Sequence, residues 1–216
     1  MTTINVTTTP TDITKRTSIG AQRNPASEAA ILDAAEDILR EGGLSAFSIE
    51  AVARRAKAGK PTIYRWWPSK AALLLDVYHR QKGESFYPDT GETREDLRHF
   101  LETLLGFWRE SGGDIFRSII ASAQSEPDAL AALRDYAVTR CRASSVILQR
   151  GQARGEIRAD LDATLVMELF SSFCWNRLLT GRLEISAADI GMVVDAVMGG
   201  LAAPSGPGKI SSAAGG

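Results

Sequence analysis

Residues 46–70, AFSIEAVARRAKAGKPTIYRWWPSK, set three helix starts close together, at Ser48, at Lys60-Pro61 and at Ser69. Ser48 and Ser69 suit N-caps because a hydroxyl oxygen accepts from the unpaired amides of a first helical turn. Pro61 suits a first turn because its missing N–H would be unpaired there anyway. The segment therefore reads as a short helix burying Ile49, Val52, Ala53 and Ala56, a tight turn, a second short helix, and the start of a third carrying Leu73, Leu74, Val77 and Tyr78. Punctuation this dense leaves room only for a cluster of short helices packed on one another.

The rest of the chain continues in helix, with no strand alternation of useful length. Ile31, Ala34, Ala35, Ile38 and Leu39 give a first helix from about Ser27 to Glu41, stopped by Gly42-Gly43. After a turn at Tyr87-Pro88-Asp89-Thr90-Gly91, the residues Leu97, Phe100, Leu101, Leu104, Leu105 and Trp108 form one apolar stripe. Ser111-Gly112-Gly113 is expected to end that helix and Asp114 to cap a shorter one. Ser125-Glu126-Pro127-Asp128 reads as a capping box opening a long helix with Leu130, Leu133, Ala137, Cys141, Ser144 and Leu148 on one face. Gly155 breaks the chain, Asp160 starts the next helix, and Ser186-Ala187-Ala188-Asp189 is a second capping box before a last helix to about Leu201. The expected fold is all-α with about nine helices. Residues 1–24, rich in Thr, and the Pro/Gly/Ser-rich tail 204–216 lack a core signature and are expected to be disordered.

A length of 216 residues with 44% hydrophobic and 24% charged residues suits a soluble globular protein. No apolar run approaches the ~18 residues of a membrane span, so no membrane partner is expected. The N-terminus has no basic start followed by an apolar core, so a secretory signal is not expected and a cytoplasmic location is. Cys141 and Cys174 lie in predicted helices and read as reduced, buried and inert. Neither belongs to a metal-ligand spacing, so no metal or cofactor is expected. Net charge is −1, but residues 1–82 hold 12 Lys and Arg against 8 Asp and Glu, whereas residues 83–216 hold 13 against 18. A basic end on an acidic body suits a protein that presents one end to phosphates.

The pattern Ser48, Ile49, Val52, Ala53, then Ile63, Tyr64, Trp66, Trp67, and then Ser69-Lys70 resembles the helix-turn-helix head of TetR-family transcriptional regulators. The resemblance rests on residues 27–82 by motif and on the order of helices beyond. It implies a helix-turn-helix domain over 25–82, with its motif at about 48–67, and a regulatory and dimerisation domain over 83–203. It also implies binding of double-stranded DNA. Ile63 and Trp67, four apart, fit the packed face of the second motif helix, leaving Lys60, Pro61, Thr62, Tyr64, Arg65 and Trp66 toward the groove. Ser48, Lys60, Thr62, Tyr64, Trp66 and Lys70 carry over as DNA contacts. Thr62 suits a thymine methyl or a base acceptor, Lys60 a guanine edge or phosphate, and Tyr64 a phosphate. Ser48 and Lys70 sit at helix N-termini, where amides and dipole favour a phosphate. Three positions depart from the family's pattern. Lys57 stands where the turn usually has Gly, which would force a left-handed residue or a different turn. Gly59 replaces a Ser-like cap, and Trp66 replaces His or Tyr. Glu50 lies near the groove side, where it could accept from a cytosine amino group or repel phosphate.

The helix from Asp160 to Thr180 is apolar almost all round, and the last helix adds Ile190, Met192, Val193, Val194, Val197 and Met198. Two such helices point to a homodimer in which they pack against their copies as a four-helix bundle, with Val194 as a seam position. Phe107, Trp108, Phe116, Tyr136, Phe170 and Trp175 are candidates to line a cavity for a small, largely apolar effector, or else plain core. Arg109, Arg140, Arg142 and Arg177 are the cations that could pair an anionic group. His79 and His99 are isolated and no nucleophile motif appears, so catalysis is not expected. The expected function is a ligand-relieved repressor on a palindromic operator. The alternative is an activator or constitutive DNA binder without an effector.

Overall fold

The computed structural model describes residues 24–82 and 87–201. The expected N-terminal arm up to residue 23 and the expected tail lie outside the described residues.

Helix α1 (Pro25–Ala46) starts earlier than its apolar pattern, because Asn24 accepts from the Ala26 amide and Pro25 fills the first turn. Its regular part ends at Gly43, which turns to φ 63°, close to where the glycine pair was expected to stop it. Helix α2 (Ile49–Ala56) is capped by Ser48, whose Oγ accepts from the Ala51 amide at 3.1 Å. Lys57 then takes φ 51°, ψ 36°, the left-handed conformation expected of a residue in a glycine's place. Helix α3 (Lys60–Trp66) follows without a side-chain cap at Gly59. Ser69 accepts from the Ala72 amide at 3.1 Å and opens α4 (Lys70–Lys82).

A left-handed β-carbon costs roughly 1–2 kcal/mol, and the freer unfolded chain of a glycine cancels part of the gain from removing it. Lys57→Gly is therefore expected to raise stability by about 0.5 kcal/mol. Urea denaturation of the two proteins checks this, and a lower midpoint for the glycine variant would refute it.

The body begins with α5 (Thr93–Phe107), which buries every member of the predicted stripe up to Leu105, and Trp108 is buried just beyond it. Here the chain departs from expectation. The glycine pair does not end the helix. Residues Trp108–Gly112 form a π-helical turn that runs directly into α6 (Gly113–Ala123). A β-carbon on Gly113 would lie 2.3 Å from the Trp108 carbonyl oxygen, and one on Gly112 would lie 2.2 Å from the Phe107 ring. The glycines thus serve a wide turn that admits no side chain. Asp114 pairs with Arg117 and caps nothing.

Helix α7 (Pro127–Ser144) starts with Glu126 at the cap position and no side-chain cap bond. The expected box at Ser125 is absent, since that hydroxyl donates back to the Ser122 carbonyl. Leu130, expected inside, is exposed, and Ala129 takes its place in the core. The predicted long helix divides at Ser144-Ser145, whose hydroxyls donate to the carbonyls of Arg140, Cys141 and Arg142. Helix α8 (Val146–Ala153) continues beyond it. That division turns the nine expected helices into ten α-helices among the described residues. Helix α9 (Ala163–Leu179) is capped by Asp162, not Asp160, which instead pairs with Arg158. Ser186 caps α10 (Ala187–Leu201) as predicted, accepting from the Asp189 amide at 3.0 Å.

One continuous core runs through both parts. In the head, α1 packs on α2 and α4, and α2 on α3. In the body, α4 packs on α6 and α7, α7 on α9, and α10 on α5. Val194, expected at a seam between copies, is 1% exposed inside its own protomer. The exposed large apolar residues of these last helices are Leu165, Leu169, Leu179 and Met192.

Candidate nucleic-acid interface and effector cavity

Ile63 is fully buried and Trp67 nearly so, which fixes α3 to the scaffold by the face its spacing predicted. The Trp67 indole donates to the Asp76 carboxylate on α4 at 2.6 Å, tying the end of α3 to the next helix. The other face is turned outward. Tyr64 is 47% exposed, Lys60, Pro61 and Arg65 are exposed, and Thr62 is half-buried. Trp66 is half-buried, edge-on to Trp67 at 5.8 Å, with the Arg65 guanidinium 5.7 Å from its ring centre. Lys70, half-buried, holds its ammonium 5.5 Å from the Phe47 ring at the start of α4.

Glu50, left open by the sequence, lies 2.7 Å from Lys60. The hydrogen bond to Lys60 holds the Glu50 carboxyl below its usual range, and the same bond raises the Lys60 ammonium. The pair aims Lys60 along the outer surface of α2 and α3 and offsets its charge. A second pair, Arg55 to Glu41 at 2.6 Å, links α2 to α1. Arg80 on α4 reaches Asp33 on α1 at 2.5 Å.

In the body, a cavity of about 500 Å³ opens between α4, α5, α7 and α9. Four of the six predicted aromatics line it, namely Trp108, Phe116, Tyr136 and Trp175. Phe170 does not, because it is 1% exposed in the core on the inner face of α9. Phe107 is also turned away, although its ring lies 5.3 Å from that of Tyr78. Phe116 is the centre of the aromatic wall, with Tyr78 at 4.9 Å, Trp175 at 5.3 Å and Trp108 at 5.7 Å. The Trp108 indole donates to the Tyr78 hydroxyl at 2.8 Å.

Sequence reasoning missed the polar part of this lining. Tyr78 follows the apolar spacing of its helix, and Lys82, Tyr87, Arg134 and Glu168 carry no local signal. Of Arg109, Arg140, Arg142 and Arg177, Arg140 lines the cavity. It reaches the Tyr87 hydroxyl at 3.5 Å and stands 5.9 Å from the Tyr136 ring centre. Burial and the nearby Arg140 charge push Lys82 down to about 8. Burial holds the phenols of Tyr78, Tyr136 and Tyr87 above their usual range. Burial also pushes the Cys174 thiol up to about 12 and raises that of Cys141, so neither is a ready nucleophile.

A helix pair with one helix locked to the scaffold and the other face rich in donors, mounted on a helical body with an aromatic cavity, defines a helix-turn-helix DNA-binding regulator. Residues 31–77 match the family described as bacterial regulatory proteins, tetR family, and residues 87–197 match the tetracyclin repressor-like C-terminal domain. The chain is 30% identical to the HTH-type transcriptional regulator YdeS of Bacillus subtilis over 170 residues, 77% of this chain and 85% of that one. It is 29% identical to the DNA-binding transcriptional repressor TetR of Mycobacteroides abscessus over 180 residues, 82% of this chain and 94% of that one. Among solved structures, the TetR family transcription regulator SCO0332 superposes with a TM-score of 0.71 at 30% identity, covering 81% of this chain and 98% of that one. The chain belongs to the TetR family of transcriptional regulators. Among the described residues, no helix is long and apolar enough to cross a membrane.

Proposed function

We propose that the protein is a cytoplasmic repressor that binds a palindromic operator as a homodimer and is released by a small, largely apolar effector held in the body cavity. The carrying observation is α3, where Ile63 and Trp67 are buried and Lys60, Tyr64 and Arg65 face outward. Ser48, Lys60, Pro61, Thr62, Tyr64, Arg65, Trp66 and Lys70 form the DNA surface in this reading. Thr62, with Lys60 once it leaves Glu50, reads base edges. Ser48, Tyr64 and Lys70 meet phosphates and set the register. Repression also fits the Mycobacteroides abscessus relative, a DNA-binding transcriptional repressor.

The dimer is supported by the apolar face left open on α9 and α10. Leu165, Leu169 and Phe173 follow one another four residues apart along α9. A shallow groove of about 310 Å³ beside them is lined by Phe173, Ile185, Met192, Val193 and Ala196, with Arg177 and Asp189. A second copy crossing this face would bury it.

The Lys70 contact gives a direct test. A phosphate contact positions without specifying, so Lys70→Ala should weaken binding to all sequences alike. It should also lower the slope of log K against log salt by about 1 per half-site. Fluorescence anisotropy at several salt concentrations measures both. An unchanged slope with a folded variant would remove Lys70 from the interface.

A further inference from the structure

Among the described residues, Lys82, Arg134, Arg140 and Glu168 are the charged groups that line the cavity, and Arg134 also pairs with Asp135. Arg134 and Glu168 are solvent-exposed at its edge. Arg140 is half-buried, and among the described residues no carboxylate lies within ion-pair distance of it. Its partners are instead a phenol oxygen, that of Tyr87, and the face of Tyr136. The buried Tyr136 hydroxyl lies beside that of Tyr78. One wall of the cavity thus gathers donors around a guanidinium, and the facing wall is the aromatic group around Phe116. A half-buried guanidinium with no carboxylate partner among the described residues matches the two oxygens of a carboxylate. Flat aromatic walls favour a flat ring.

We propose that the effector is an aromatic carboxylate, with its carboxyl group on Arg140 and Tyr136 and its ring against Trp108, Phe116 and Trp175. This rests on the reading of the cavity as the effector site and narrows it, since the sequence alone pointed to a largely apolar or aromatic ligand and left open which of four arginines could pair an anionic group. The volume of about 500 Å³ lies in the range of sites for drug-sized molecules and accommodates a two-ring acid. Selection for charge follows from desolvation. A carboxylate costs far more than an amide to bury unpaired, so only a site with a matched cation prefers the acid.

The test compares naphthalene-2-carboxylate with naphthalene-2-carboxamide, which share a ring system and differ in charge, by titration calorimetry on the full-length wild type. The acid is expected to bind about tenfold or more tightly than the amide, as charge-assisted hydrogen bonds require. In Arg140→Met the preference should vanish or reverse while the amide still binds. Arg142→Met, an exposed position on the same helix outside the cavity, should keep it. Circular dichroism confirms that each variant is folded, and the wild-type comparison stands even if one is not. Equal affinities for acid and amide in the wild type would overturn the anion preference and leave the effector cavity in place. Binding of neither probe, or a folded Arg140→Met that keeps the full preference, would also overturn it. The cavity's role as effector site is judged separately, by whether any cavity ligand releases the operator.

Discussion

Leu169→Asp is expected to give a folded monomer with operator affinity lowered by about 10²–10⁴. Leu169 is 60% exposed in the protomer, as are Leu165 at 61% and Met192 at 63%. A charge placed on a surface position changes the stability of one protomer by only about 0.5 kcal/mol. In the proposed dimer the same position is buried against its symmetry mate, and each substitution sets two unpaired carboxylates into an apolar seam. Each half-site must then be bound by one head alone, without the high effective concentration that linkage to the first head provides. Val194→Asp makes the contrasting case. Its side chain is buried within the protomer, so the charge should unfold the body and yield aggregate. Sedimentation velocity at micromolar concentration, with circular dichroism, separates the two outcomes. A Leu169→Asp protein that stays dimeric and keeps its affinity would move the seam away from this face of α9.

This contrast also marks what the sequence could not reveal. The head was legible because its signals are local. A serine cap, a proline in a first turn, a lysine in a glycine's place and two buried residues four apart each act within one turn of helix. The chain around Val194 carries no such signal. A helix that is apolar all round does not disclose which stripe meets its own core and which meets a partner. Burial of Val194 and exposure of Met192, only two residues apart, follow from how α10 lies on α5. The glycines at 112 and 113 misled for a different reason. Glycine stops helices through its conformational freedom, but here it is required for close approach inside a π turn. The cavity was half legible. Aromatic spacing located Trp108, Phe116, Tyr136 and Trp175. Tyr78, Lys82, Tyr87 and Arg140 meet only because α4, the segment before α5, and α7 converge in space. No periodicity records that convergence.

The second large effect concerns release. Helix α4 is shared by the proposed DNA surface and the proposed effector cavity. Tyr78 lines the cavity, is 1% exposed, stacks on Phe116 and accepts the Trp108 indole N–H. Asp76, two residues earlier, accepts the Trp67 indole N–H at the end of α3. A helix is stiff over one turn, so a ligand that displaces Tyr78 also carries Asp76 and the reading helix with it. In a dimer the two reading helices must lie about 34–36 Å apart to meet successive major grooves. To turn a mostly competent population into a mostly incompetent one, the ligand must favour the second state by about 5.5 kcal/mol. At about 25 cal/mol per Å², some ~200 Å² of differential apolar contact supplies it. Linkage then requires that the ligand bind the free dimer more tightly than the operator-bound one. Tyr78→Phe keeps the ring and removes the oxygen that holds Trp108. It should leave ligand affinity for the free dimer within a few fold and cut the ratio of the two affinities by about tenfold or more. The measurement is calorimetry of naphthalene-2-carboxylate, or any tighter cavity ligand, with and without operator, on wild type and variant. Equal affinities in the wild type would leave release without a physical basis. A variant with the full wild-type ratio would show that the signal reaches the head by a route other than the Tyr78–Trp108 bond.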